Sequence, residues 1–186
     1  MRIVGGKHSG RPLATPKGRD TRPTSDRARE AIFNVLAHGV DGPGLAGARV
    51  LDVFAGTGAL GLEALSRGAA HATFVEHNRA SARVLKDNIS LLGEDAHATV
   101  IERRADAIGA PKDGSSCDYA FLDAPYEQGL SEPALAHLAA NGWLNDGAIV
   151  VVEVARGEAL DPPPGFVTLK EKTYGAARAV FFTYRP

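Results

Sequence analysis

Cysteine, methionine and tryptophan each occur once among the 186 residues, and nothing approaches the roughly 18 uncharged apolar residues that a membrane span needs. Each scarcity closes off a class. Cys117 has no partner for an internal disulfide, and the six histidines (8, 38, 71, 77, 97, 137) show no close pairing or thiol neighbour at metal-ligand spacing, so no metal is expected. The opening MRIVGGKHSGR lacks the apolar core of a signal peptide, which places the expected location in the cytoplasm. A composition 44% hydrophobic and 23% charged fits one globular domain with a small appendage and excludes disordered and collagen-like classes.

A net charge of -1 hides an asymmetry. Residues 1–39 carry eight Lys/Arg against three acids, so a cationic arm precedes an acidic body. Such an arm suits phosphate neutralisation on a nucleic acid; a solvated basic surface is the alternative. Arg2-Ile3-Val4 and Arg11-Pro12-Leu13 flank GGKHSG as a short hairpin whose second strand Pro12 confines to an edge. A helix follows: Pro23-Thr24 offers a cap, Asp26 suits the first turn, Ile32, Phe33, Val35 and Leu36 form the apolar stripe, and His38-Gly39 ends it. Residues 1–39 thus read as a basic extension and 40–186 as the main domain, joined by a linker over 40–48.

From residue 49 short apolar runs (RVLDVF, HATFVE, ATVI, DYAFLD, AIVVVEV) alternate with helical patterns near 59–67, 79–92 and 129–141, the mark of a parallel sheet covered by helices. The connection over 105–113 has no clear pattern. FVTLKEKTY and ARAVFFTYR around Gly175-Ala176 read as an appended hairpin.

After the first run comes DVFAGTGALG, with G-x-G-x-x-G spacing between strand and helix; the same spacing also serves buried turns and many nucleotide folds. Asp52 ends that strand core and is expected to aim its carboxylate at the cleft. A pyrophosphate would be repelled there and a sulfonium with an ammonium attracted, favouring S-adenosylmethionine over NAD; capping backbone donors is the alternative. Glu76, closing the second run, suits the hydroxyls of a ribose. His77 flanks adenine or is a surface imidazole. Asp106 is assigned to the adenine amino group, with Glu102 competing and an exposed loop acid as the plain account.

LDAPY, residues 122–126, closes the fourth run, beside the first strand in a doubly wound sheet. It is either a turn or a site of amine methylation. A base amine is a poor nucleophile because its lone pair is delocalised; acceptors at Asp123 and the Ala124 carbonyl would hold it toward a methyl and favour a pyramidal nitrogen. Pro125 restricts Ala124 to extended backbone, and Tyr126 would stack on a flipped base or be a core aromatic with its hydroxyl bonded.

RIVGGKHSGR, RPTSDRAREAIFNVL, VLDVFAGTGALGLEALSRGA, FVEHNRASARVLKDNI and FLDAPYEQGL together resemble the RsmD family of bacterial 16S ribosomal RNA methyltransferases over nearly the whole chain. The resemblance implies an α/β fold, a Rossmann-like class I SAM-dependent methyltransferase with a doubly wound, seven-stranded, mostly parallel sheet and an antiparallel C-terminal hairpin. It implies methyl transfer from S-adenosyl-L-methionine to a guanine N2 amine in 16S rRNA, within a small-subunit assembly particle, by a monomer. Asp52, Phe54, Gly56, Gly58, Glu76, His77 and Asp106 would serve the cofactor; Asp123, Ala124, Pro125 and Tyr126 the target amine. Arg2, Lys7, Arg11, Lys17, Arg19, Arg22 and Arg27 would meet RNA, with Glu30 and Asn34 near the stripe of Arg27. Ala124 departs from the family's Asp-Pro-Pro-Tyr, losing one fixed φ at a cost of ~1 kcal/mol or less. Other functions open at this point are a DNA amino-methyltransferase, an NAD-dependent dehydrogenase and a non-catalytic RNA-binding module.

Overall fold

The near-continuous apolar runs of the central strands call for a sheet buried on both faces, and the computed structural model, which describes residues 1–16 and 25–186, contains one, with only its edge strand at 166–174 largely exposed. In chain order the elements are α1 (Asp26–His38), β1 (Arg49–Val53), α2 (Ala59–Ser66), β2 (His71–Val75), α3 (Arg79–Leu92), β3 (Ala98–Ile101), β4 (Cys117–Asp123), α4 (Ser131–Ala140), β5 (Leu144–Ala155), β6 (Phe166–Tyr174) and β7 (Ala177–Tyr184). The strands order β3-β2-β1-β4-β5-β7-β6; the first five are parallel, and β7 pairs antiparallel with both β5 and β6. The order reverses between β1 and β4, where such folds take their ligands. Among the described residues no helix is long and apolar enough to cross a membrane.

The two-residue period divides the core. Val50, Phe74, Tyr119, Phe121, Ile149 and Val151 face the layer of α1, α2 and α3; Leu51, Val53, Ala120, Leu122, Val150 and Val152 face α4. Phe33 of α1 lies against Phe121 of β4, ring centroids 5.5 Å apart, which seats α1 over the centre of the sheet. Ile3 and Phe33 are fully buried in that same layer, so the N-terminal extension contributes to one shared core.

Some boundaries shift. α4 spans 131–140 rather than 129–141, and β5 starts at Leu144, extended across Gly147 and a register irregularity opposite β4. The patternless 105–113 stretch contains the 3-10 turn Ala105–Ala107 and the start of a second, Lys112–Gly114. Pro23-Thr24 lie outside the described residues; Ser25 caps α1, its Oγ accepting the Ala28 N–H at 3.2 Å.

The expected N-terminal hairpin is short: one antiparallel bridge, Arg2↔Pro12, with the Ile3 N–H donating to the Arg11 carbonyl at 2.9 Å and the Leu13 N–H to the Met1 carbonyl at 3.1 Å, around a 3-10 turn at Gly6–His8. Other donors of the segment go to α2. The Val4 and Gly5 N–H groups donate to the Glu63 carboxylate of α2 at 2.7 and 2.8 Å, and the His8 N–H donates to Ser66 Oγ at 2.9 Å. Glu63 is fully buried and also accepts Arg67 Nε at 2.8 Å, so a helix carboxylate satisfies the two donors that follow the paired residues of the hairpin.

Candidate active site

The loop after β1 is strained where it meets the strand. Phe54 has φ +61, and the only other described non-glycine residue with positive φ is Glu127, at +58, directly after Tyr126. Left-handed backbone at a side-chain-bearing residue costs about 1–2 kcal/mol, so the rest of the fold holds both turns in place. At Gly58 a Cβ would lie 2.3 Å from Leu85 Cδ1, so that glycine answers to packing. At Gly56, φ +55, an added Cβ meets nothing closer than 3.9 Å; the open side of the loop is there.

Two carboxylates shape this loop. Asp52 is 2% exposed and its Oδ2 accepts the Gly61 N–H at 2.8 Å, capping the first turn of α2. Of the two roles weighed for Asp52, this contact belongs to the cap. Burial, and then the charges of Asp123 and Glu76, hold its carboxyl well above the usual carboxylate range, against the pull of the Gly61 donor. Glu76 accepts the Gly56 N–H at 2.9 Å through Oε2 and the Asn78 N–H at 2.6 Å through Oε1. An ionised carboxylate offers about four lone-pair positions, so both oxygens retain capacity for a ligand.

The adenine-side residues are looser. Asp106 is exposed and faces Arg104 with two bonds of 3.0 and 2.8 Å, which hold its carboxyl below the usual range. Glu102 pairs with Lys86. His77 is exposed, its Nδ1 3.6 Å from Glu76.

On the other side of the switch point, Asp123 ends β4 half-buried, Ala124 is buried, Pro125 is exposed and Tyr126 is half-buried. Strand parity puts Asp123, with Tyr119 and Phe121, on the face that also carries Asp52. The Tyr126 hydroxyl donates to Glu153 Oε1 at 2.7 Å, and Glu153 is the register partner of Asp123 on β5. Four acids from four consecutive sheet positions thus converge at the carboxyl ends of the strands. Like charges this close repel, and a cation between them relieves the repulsion.

The basic arm borders this cleft. Met1 Sδ lies 3.4 Å from Thr57 Oγ1 in the glycine loop, and the fully buried Asn88 accepts the Ala14 N–H at 2.8 Å while its Nδ2 donates to the carbonyls of Ala14 and Thr57 at 3.1 and 3.0 Å. The expected RNA-facing cations divide. Arg27 is exposed beside exposed Glu30 and Asn34, and Arg2 is exposed with Nε 3.3 Å from Asp26. Lys7 pairs at 2.8 Å with the buried Glu94, which also takes His8 and His97, and Arg11 donates to the Leu91 carbonyl at 2.9 Å; both fasten the arm to the end of α3. Lys17, Arg19 and Arg22 lie outside the described residues.

Sequence reasoning passed over Glu153, Glu158 and Asn88. Glu153 left a signal: an acid inside AIVVVEV has no place in a strand buried on both faces unless something there needs it. Glu158 and Asn88 act through loop backbone and left none.

Comparison with known proteins identifies the family and the fold. The family model described as "Conserved hypothetical protein 95" matches residues 1–183. Ribosomal RNA small subunit methyltransferase D of Escherichia coli is 42% identical over 94% of this chain and 85% of its own length. The Bacillus subtilis protein named "Putative rRNA methyltransferase YlbH" is 34% identical, with both chains covered in full. A solved structure titled "Putative methyltransferase yhhF from Escherichia coli" superposes with a TM-score of 0.82 at 37% identity, covering 100% of this chain and 98% of that one. The fold is that of the class I methyltransferases, and on a family match of this extent the chain belongs to the RsmD family.

Proposed function

We propose that this chain transfers a methyl group from S-adenosylmethionine to the exocyclic N2 amine of a guanine in the 16S RNA of the small ribosomal subunit. The observation that carries the reading is Asp123 at the end of β4, next to the strained loop of β1 and on the same sheet face as Asp52. The names of the relatives support the RNA substrate, and the exposed cations Arg2 and Arg27 support contact with phosphate.

The donor set fits this cofactor. Acids converging from β1, β2 and β4 suit a sulfonium and an ammonium and disfavour a pyrophosphate. Gly56, open toward the cleft, admits close approach, and Glu76 is placed to add ribose hydroxyls to the backbone groups it already holds. When bound, S-adenosylmethionine supplies an electrophilic methyl.

What the protein does to the amine follows from charge. The Asp123 carboxylate and the Ala124 carbonyl accept the two N–H groups, fix the direction of the nitrogen lone pair and stabilise positive charge as it develops there. The proton leaves after the new N–C bond forms, so an ordinary carboxylate or water suffices as its acceptor. Tyr126 supplies the flat surface for a base lifted out of its stack.

The test offers tritium-labelled S-adenosylmethionine with under-methylated small subunits, naked 16S RNA and duplex DNA, followed by nucleoside mapping. Label in N2-methylguanine from 16S RNA is expected in one of the first two; label confined to DNA would replace the substrate.

A further inference from the structure

Glu153 is a carboxylate 5% exposed at the end of an apolar run, and taking a charge out of water is costly unless its partners compensate. One partner is explicit: the Tyr126 hydroxyl, 2.7 Å away. A charged acceptor makes that bond roughly twice as strong as one to a neutral group. The burden of the charge extends to Tyr174, whose hydroxyl is pushed up to about 12 by burial and by Glu153. The position is also specific. Glu153 sits in register with Asp123 on the neighbouring parallel strand, so the two side chains leave the same face of the sheet side by side.

The turn that carries Tyr126 is tied to the same strand by a second acid. Glu127, left-handed at φ +58, donates its N–H to Glu158 Oε1 at 3.1 Å, while Glu158 Oε2 accepts the Ala155 N–H at 3.0 Å. One carboxylate therefore joins the turn to the end of β5, two residues past Glu153. Tyr126 is thus held at its hydroxyl by Glu153 and, through the backbone of the next residue, by Glu158.

We infer that Glu153 is a positioning residue for the target base: by gripping the Tyr126 hydroxyl it sets the plane of the ring on which the base stacks, level with the acceptors Asp123 and Ala124. This rests on the amine-pocket reading given above. A phenylalanine would stack equally well, so the hydroxyl serves orientation and not affinity. Orientation acts on the chemical step, because an amine displaced by a fraction of an ångström or tilted off line loses its approach to the methyl while the base remains bound.

The test measures kcat, KM for the RNA substrate, S-adenosylmethionine affinity by calorimetry and melting temperature for Tyr126→Phe, Glu153→Ala, Glu153→Gln, the Tyr126→Phe/Glu153→Ala double variant and Asp123→Ala. Tyr126→Phe and Glu153→Ala should each lower kcat by about tenfold to a hundredfold, with RNA KM and cofactor affinity within about threefold. In the Tyr126→Phe background Glu153→Ala should add less than about twofold, since the interaction is already gone. Glu153→Gln, whose amide oxygen still accepts, should stay within about threefold of wild type. Losses that multiply in the double variant, or a Tyr126→Phe protein with wild-type kcat, would overturn the inference. If Glu153→Ala does not fold, Tyr126→Phe and Glu153→Gln decide: the first impaired and the second active supports it, the reverse removes it. Asp123→Ala separates the two levels. Full activity there sinks the site itself, whereas its loss beside unimpaired Tyr126→Phe and Glu153→Ala sinks this inference alone.

Discussion

The proposed cofactor half and the proposed amine half of the site use acids in different ways. Around β1 and β2, Asp52 and Glu76 are bonded to backbone N–H groups of Gly61, Gly56 and Asn78, so they set the shape of the loop. Around β4 and β5, Glu153 is bonded to a side chain, and a side chain can be repositioned without refolding anything. The difference separates two kinds of failure: damage in the first half is expected in cofactor affinity and stability, damage in the second in the chemical step.

Asp123→Ala makes the sharpest cut between the halves. Transfer should fall by at least about 10²–10³-fold, the effect of deleting one group that stabilises developing charge, with cofactor affinity within about threefold. Single-turnover kinetics beside calorimetry would check it. Asp52→Ala tests the other half: the buried Gly61 donor loses its acceptor, so melting should report about 1–3 kcal/mol of lost stability, together with about tenfold weaker cofactor binding. If Asp52→Ala lowered only the rate at saturating cofactor, the division between the halves would disappear.

A third test uses pH. Asp52 is raised by burial and by its neighbours, so in the free protein it protonates as pH falls through that elevated value, and a neutral Asp52 attracts a cation less. Cofactor affinity should therefore weaken on acidification, and Asp52→Asn should flatten the part of the calorimetric profile that Asp52 contributes. The same raised pKa makes the stability contribution of Asp52 complete below the unfolded carboxylate value and lost as pH rises through the folded one. The smallest effect is expected from Ala124→Pro, which restores the first proline of the family's Asp-Pro-Pro-Tyr. With ~1 kcal/mol or less of backbone freedom involved, kcat should change by no more than about fivefold.

Much of the sheet was legible because buried strands announce themselves by period. ATVI, DYAFLD and the terminal hairpin fall within a residue or so of β3, β4, β6 and β7, and α3 matches 79–92. The positions of the glycine loop and of Asp123 were legible for the same reason: a residue placed at a strand end is located as firmly as the strand. What escaped depends on backbone donors meeting distant side chains. Nothing in RIVGGKHSGR says that the Val4 and Gly5 N–H groups will find Glu63 of a distant helix. Nor could sequence show that Lys7 and Arg11 hold the arm down while Arg27 stays exposed, because a lysine on buried Glu94 and one facing solvent read alike. Asp106 fared similarly: its commitment to Arg104, two residues away, is a matter of local geometry.

The fastening of the arm has a consequence for synthesis. Its anchors, Glu63, Ser66, Asn88 and Glu94, lie 58 to 87 residues downstream of the groups they hold. At translation speeds of about 5–20 residues per second, these residues wait several seconds after being made before α2 and α3 exist to receive them. Docking of the arm thus waits for the synthesis of residue 94, and the nascent chain carries its positive charge loose until then.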